Sequence, residues 1–195
     1  MNELIFATSN KNKIFEVQSK IDYEKFPIKI LPVPQPFEPI EDGKNFLENS
    51  YIKAFEAAKI TGKNSFADDT GLCVEAIGGR PGIYSARYAK QGEDRVEKLL
   101  NEMKDFKNFE ERKAYFACAI TLVSPKGEIL FSYQSKFEGY IAFEPKGSNG
   151  FGYDPIFYVK ESGKTLAELS VEEKNQISHR ALALKAFLEW LSLKF

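Results

Sequence analysis

Four short segments carry residue types able to do chemistry. In Thr8-Ser9-Asn10-Lys11-Asn12-Lys13, backbone N–H groups at a helix start, hydroxyl donors and a lysine one turn in would make a phosphate cradle. The same residues would serve a plain N-capped helix with solvated lysines, and taken alone the segment favours that reading. In Phe66-Ala67-Asp68-Asp69-Thr70-Gly71, adjacent strand residues face opposite sides, so at most one aspartate can address a given cleft. A carboxylate at the end of a buried strand suits a hard cation such as Mg²⁺, or general-base work on water. A turn using Asp for backbone hydrogen bonds and Gly71 for positive φ accounts for it equally well.

The third segment is Gly147-Ser148-Asn149-Gly150-Phe151-Gly152-Tyr153-Asp154-Pro155. Its glycines let the backbone approach a ligand while an aromatic ring stacks on it. The order Gly-x-x-Gly-x-Gly is neither the dinucleotide fingerprint nor a Walker loop. A turn needs fewer glycines than this one has, which favours function. In the fourth, Ser178-His179-Arg180, a capping Ser178 would put the histidine and an arginine in the first helical turn. Cations there oppose the helix dipole by a few tenths of a kcal/mol. A local rule broken in this way often marks a function. An arginine paired with a nearby carboxylate and a satisfied histidine would look the same.

The elements that must position these residues follow from periodicity. Leu4 to Ala7 is an apolar strand running into the Thr8-Ser9-Asn10 cap, and Ile14, Val17 and Ile21 fall at helical spacing. Ile28 to Leu31 predicts a second strand. Asn45 and Glu48 resemble a capping box opening a helix to about Ile60, with Leu47, Tyr51, Ala54 and Ala58 as its buried stripe. Strands Phe66–Asp68 and Leu72–Ala76 are predicted with an interruption at Asp69-Thr70-Gly71, and Gly78 to Gly82 is a loop. Val96, Leu99, Leu100 and Met103 mark a helix. Tyr115–Val123 and Ile129–Tyr140 form a hairpin around Pro125-Lys126-Gly127. Ile177, Ala181, Leu184, Leu188, Leu191 and Phe195 predict the last helix. The expected class is α/β with a mixed sheet, in a single domain over 1–195.

Composition narrows the function classes. Net charge is −1 at pH 7, without the basic excess on which nucleic-acid binders rely, so neither nucleic acid nor membrane is an expected partner. Met1-Asn2-Glu3 lacks the basic and apolar regions of a secretory signal, and the most apolar run, Ala114 to Val123, is too short to span a bilayer. Cys73 and Cys118 lie far apart and the chain has one histidine, which disfavours structural zinc and fits buried thiols in a reducing cytoplasm.

Together the motifs resemble the inosine triphosphate pyrophosphatase family of nucleotide hydrolases. The matching stretches are Thr8-Ser9-Asn10-x-x-Lys13, Glu41-Asp42-Gly43-x-x-Phe46-x-Glu48-Asn49-x-x-x-Lys53-Ala54 and Ala67-Asp68-Asp69-Thr70-Gly71-Leu72. They continue with Gly78-Gly79-x-Pro81-Gly82-x-Tyr84-Ser85-Ala86-Arg87, Gly150-Phe151-Gly152-Tyr153-Asp154-Pro155, Lys174 and Ile177-Ser178-His179-Arg180. Asn149 departs from the pattern, since a small residue, often glycine, is common there. The resemblance implies hydrolysis of deaminated purine nucleoside triphosphates (ITP, dITP, XTP) to monophosphate and pyrophosphate. It implies a homodimer whose elongated mixed β-sheet carries two α/β lobes flanking a central active-site cleft.

It also implies roles. Thr8, Asn10, Lys13 and Lys53 would hold the triphosphate, with Ser9, Lys11, Asn12 and Thr70 among the substrate-binding positions. Glu41 and Asp69 would hold Mg²⁺, and Asp69 would also activate water. Phe151 would stack on the purine beside Gly152 and Tyr153, while Asp154, Lys174, His179 and Arg180 would line its polar edge. Two rivals stand beside this reading. One is a single-stranded RNA-binding module using Phe151, Tyr153 and Phe157 as a stacking platform, against which the charge balance and the aspartate pair weigh. The other is a pyrophosphatase for modified pyrimidine or other unusual nucleotides.

Overall fold

The structure, a computed structural model, describes residues 3–194. Its elements in chain order are β1 (Glu3–Phe6), α1 (Lys11–Tyr23), β2 (Lys29–Pro32), α2 (Phe46–Thr61), β3 (Ser65–Val74) and β4 (Arg80–Pro81). There follow α3 (Arg95–Glu102), β5 (Lys113–Val123), β6 (Ile129–Ile141), β7 (Phe157–Val159), β8 (Lys164–Thr165), α4 (Val171–Ile177) and α5 (His179–Ser192). The strands form a mixed sheet of order β2-β1-β3-β5-β6-β7-β8, with β4 paired to β3. The mixed α/β class is as predicted. Contacts divide the chain into two compact units, residues 1–69, 118–135 and 178–195 in the first and 70–117 and 136–177 in the second.

In the first unit, β1 lies parallel to both neighbours, Leu4 opposite Ile30 and Phe6 opposite Phe66. A parallel strand covered on both faces must be apolar throughout, and Leu4-Ile5-Phe6 is. The pleat sends alternate residues to opposite faces. Leu4 and Phe6 join Phe66, Val17, Ile21, Leu184 and Phe187 in one core, while Ile5 and Ala7 join Ala67, Ala54 and Ala57 in another. Helices α1 and α5 therefore cover one face and α2 the other. Phe6 stacks on Phe66 with centroids 4.6 Å apart.

The second unit has its own core of Leu72, Val74, Leu99, Met103, Phe116, Ile156, Phe157 and Leu166. There β4 pairs antiparallel with β3, Cys73 opposite Pro81, and β7 joins β6, Ile141 opposite Phe157. Cys73 and Cys118 are both buried and not disulfide-bonded. Among the described residues no helix is long and apolar enough to cross a membrane.

Four expectations need correction. Strand β3 runs unbroken through Asp69-Thr70-Gly71, because these residues keep extended pairing instead of turning. The buried stripe of α2 is Phe46, Asn49, Ser50, Lys53, Ala54, Ala57 and Ala58, and Leu47 is exposed, since the polar groups Asn49 and Lys53 have buried partners. Within the Gly78–Gly82 stretch, Arg80-Pro81 pairs as a short strand. Ile177 ends α4 instead of opening α5, because Ser178 interrupts the helix and caps the next by accepting from Ala181 N–H at 3.2 Å. Phe195 lies outside the described residues.

Candidate functional site

The alternation of β3 decides the first unit's chemistry. Asp68 continues the face of Phe66, toward α1 and α5; Asp69 continues the face of Ala67, toward α2. On the α1/α5 face, Lys13 Nζ lies 3.0 Å from Asp68 Oδ1. Arg180 donates through Nε and Nη2 to Asp68 Oδ2, both at 3.1 Å, and through Nη1 to Glu16. Burial opposes the charge on Asp68, yet Lys13, Arg180 and Lys53 together hold its carboxyl far below the usual range. Burial likewise opposes the guanidinium of Arg180, which Asp68 and Glu16 keep charged. For Lys13 burial wins and lowers its proton affinity, with Asp68 offsetting part of the loss.

On the α2 face, Lys53 Nζ donates to Asp69 Oδ1 at 2.7 Å and to Glu41 Oε2 at 3.4 Å. The two carboxylates thus converge on one cation. Burial would lower Lys53, but Asp69, Glu41 and Asp68 outweigh it and raise its proton affinity. Asp69 goes up for the complementary reason. It is buried, and the nearby ammonium is shared with Glu41. Among the described residues no three Asp, Glu, His or Cys side chains gather as an all-protein metal cage. A pair of carboxylates sharing a cation nonetheless suits Mg²⁺, which commonly takes one or two carboxylates together with substrate phosphates.

The loop before α1 is tightly capped. Asn10 Oδ1 accepts from the N–H groups of Asn12 and Lys13, and Thr8 Oγ1 accepts from Asn10 N–H. Ser9, Asn10, Lys11 and Asn12 are exposed there, and the first turn of α1 contains no acidic residue. His179 is buried, and its carbonyl accepts from Ser135 Oγ at 2.6 Å.

The second unit holds the glycine-rich segment. Asp154 Oδ2 accepts from Phe151 N–H and from Lys174 Nζ, each at 2.7 Å. Lys174 also lies 5.2 Å from the centroid of the Phe151 ring. Asp154 and Lys174 are 3% and 6% exposed, so the pair is sequestered from water while Phe151 is only partly covered. Gly150 makes this possible: at φ +74° it has no Cβ, and one would run into the Asp154 carboxylate. Tyr153 is buried and donates to Ser85 O at 3.1 Å, and Ser85 Oγ accepts from Leu72 N–H at 2.9 Å. Asn149, the departure from the family pattern, donates from its amide to Leu169 O at 2.9 Å and anchors the loop. Gly152 lies at φ +70°, and Thr70, in β3, is half-buried.

Three groups thus form: Lys13, Asp68, Arg180 and Glu16; Glu41, Lys53 and Asp69; and Phe151, Asp154 and Lys174. Sequence reasoning missed Glu16, although it stands three residues after Lys13 and so shares its helix face. Asn49, a motif position four residues before Lys53 on the same helix face, is fully buried against Asp69.

Comparison with known proteins accords with this architecture. The Ham1 family model matches residues 4–190. A dITP/XTP pyrophosphatase of Prochlorococcus marinus is 48% identical over 185 residues, covering 95% of this chain and 91% of that protein. One from Halalkalibacterium halodurans is 45% identical over 195 residues, covering 98% and 100% respectively. A solved HAM1 protein from Coxiella burnetii superposes with a TM-score of 0.87 at 39% identity, covering 98% of this chain and 99% of that one. With the family model spanning nearly the whole sequence and relatives this similar, the chain belongs to the Ham1 family.

Proposed function

We propose that this chain hydrolyses deaminated purine nucleoside triphosphates (dITP, ITP and XTP) to the monophosphate and pyrophosphate, clearing them from the nucleotide pool. The observation that carries the reading is the arrangement around β3: neighbouring aspartates on opposite faces, each with a lysine, and Glu41 sharing a cation with Asp69. A triphosphate carries several negative charges, so a nucleophile reaches phosphorus only where cations offset them. Lys13 and Lys53 supply that charge; their present carboxylate partners orient both, outweigh burial at Lys53 and offset part of it at Lys13. Thr8 and Asn10 hold the start of α1 beside Lys13. Glu41 and Asp69 are the residues that would hold Mg²⁺, which when bound neutralises phosphate charge and acidifies water. Asp69 accepts the proton of the attacking water, and the attack is assigned to the α-phosphorus, with pyrophosphate leaving.

For the base, the family resemblance assigns Phe151 as the stacking ring and Lys174 and Arg180 as donors, on side chains that cannot accept. Hypoxanthine and xanthine offer a carbonyl acceptor at the six position, whereas adenine offers a donor. A buried donor facing that amino group would be unpaired at a cost of about 1–3 kcal/mol. The reading places the reaction in the cytoplasm and the chain in a homodimer, which light scattering at micromolar protein would test. The primary experiment follows ITP by chromatography. The expected products are IMP and pyrophosphate, with EDTA abolishing turnover; a diphosphate with orthophosphate would overturn the cleavage position.

A further inference from the structure

We infer that Asn49 is a positioning residue, a two-ended clamp that sets the Asp69 carboxylate against the loop carrying Glu41. The inference rests on the assignment of Glu41 and Asp69 proposed above. Asn49 is 0% exposed although it lies in the first turns of α2, where a polar side chain could face water. Its Oδ1 accepts from Gly43 N–H at 2.9 Å, and its Nδ2 donates to Asp69 Oδ2 at 3.4 Å. The first bond fixes the second. A backbone N–H can only donate, so it must meet the amide oxygen, and the NH₂ is then turned toward Asp69.

The loop has little room to do otherwise. A Cβ at Gly43 would stand 2.6 Å from Asn49 Oδ1 and 2.8 Å from Glu48 Cβ, so that position must be glycine for the loop to lie this close to α2. Lys44 N–H donates to Glu48 Oε2 at 2.7 Å and Glu48 N–H to Asn45 Oδ1 at 2.9 Å, completing the attachment. Glu41, two residues before Gly43, is thereby referenced to the same helix that carries Lys53.

The clamp also divides the labour of Asp69. Its Oδ1 meets the Lys53 ammonium at 2.7 Å, a charge-assisted contact, whereas its Oδ2 meets a neutral amide at 3.4 Å. Oδ2 is the more weakly held oxygen, and Asn49 sets its direction without adding charge. A residue of this kind orients a ligand or base without touching the reacting atoms, and losing one costs about 10–100-fold in affinity or activity.

Two substitutions separate positioning from packing. Asn49→Asp keeps the shape and the acceptor for Gly43 but turns the donor into a second carboxylate oxygen facing Asp69. Asn49→Ala removes both ends. The readouts are kcat and KM for ITP hydrolysis, the melting temperature, and Mn²⁺ binding by electron paramagnetic resonance without nucleotide. Both variants are expected to lower kcat by about 10–100-fold, with KM changed much less. Mn²⁺ affinity is expected to move in opposite directions, up in Asn49→Asp through the added charge and down in Asn49→Ala through the released loop. A merely structural role would not reverse the sign of metal binding between two variants. Gly43→Ala, which attacks the clamp from its other end, is expected to follow Asn49→Ala. The proposal is overturned if Asn49→Asp melts like the unsubstituted protein and keeps its kcat, or if both variants shift Mn²⁺ affinity alike. Absence of ITP turnover in the unsubstituted protein would instead sink the assigned activity, and the opposed Mn²⁺ shifts would still judge the clamp.

Discussion

The first unit arranges its polar residues as an exchange of charges, and the second as a fixed scaffold. Around Asp68 and Asp69 every cation touches at least one carboxylate, and Lys53 and Arg180 each touch two. Such partners can be traded. On the proposed reading, a phosphate arriving beside Lys13 or Lys53 would replace one anion by another, and the lysine would not face a low-dielectric interior alone. In the second unit a single carboxylate, Asp154, is tied at once to a backbone N–H and to Lys174, while Gly150 and Tyr153 fix the loop around it. These contacts fix the shape of the loop. The difference teaches that a cluster of shared ion pairs and a glycine loop locked by single contacts are built on opposite principles, one on interchangeable partners and the other on fixed ones.

The contrast between Asp68 and Asp69 is the strongest way to break this picture. Asp69→Asn is expected to lose at least about 100-fold in ITP turnover, since general-base catalysis alone contributes about 10²–10⁴, while the melting temperature changes little. Asp68→Asn should do the reverse. It strips the charge that Lys13 and Arg180 share in a buried network, and breaking such a pair costs about 3–5 kcal/mol. In a chain of this size that is a drop of roughly 6–20 °C in melting temperature. Equal loss of turnover at both positions with unchanged melting would erase the distinction between the two faces of β3.

A smaller effect sharpens the role of Arg180, which has one hand on each of two carboxylates. Arg180→Ala, assayed on ITP and ATP side by side, is expected to bring the ratio of their kcat/KM values toward unity by about one order of magnitude, the worth of one unpaired buried donor. A variant slowed on both substrates with its ratio intact would assign Arg180 to the Asp68 network alone.

In the second unit, Gly150→Ala introduces a Cβ at positive φ against the Asp154 carboxylate, so the Asp154–Lys174 pair must shift. The expected cost is about 1–3 kcal/mol in stability, with a raised KM for ITP; an unchanged melting curve and KM would show that the loop is not a fixed scaffold. Tyr153→Phe is the mildest change. It removes the hydroxyl donated to Ser85 O, and should lower stability by about 1 kcal/mol, read by denaturant unfolding with kcat nearly unaffected.

Sequence by itself determined much of this protein. Local signals depend on nearest neighbours along the chain, and they were legible. The apolar run of β1 foretold a strand covered on both faces, Asn10 and Ser178 foretold helix starts, and Asn45 with Glu48 foretold the opening of α2. The two-residue period of a strand already sent Asp68 and Asp69 to opposite sides. What the period could not say is which helix covers which side, because that depends on how α1, α2 and α5 pack, a matter of long-range contact. Tertiary structure alone therefore decided that Asp68 meets Lys13 and Arg180, more than a hundred residues apart in the chain, and that Asp69 meets Lys53 and Asn49. It also decided that β3 runs on through Thr70-Gly71, where local turn chemistry favoured a break, since pairing to neighbouring strands outweighs the turn propensity of a few residues. Glu16 was invisible for the same reason: a carboxylate on a helix looks like ordinary surface until a buried partner from elsewhere in the chain is brought against it.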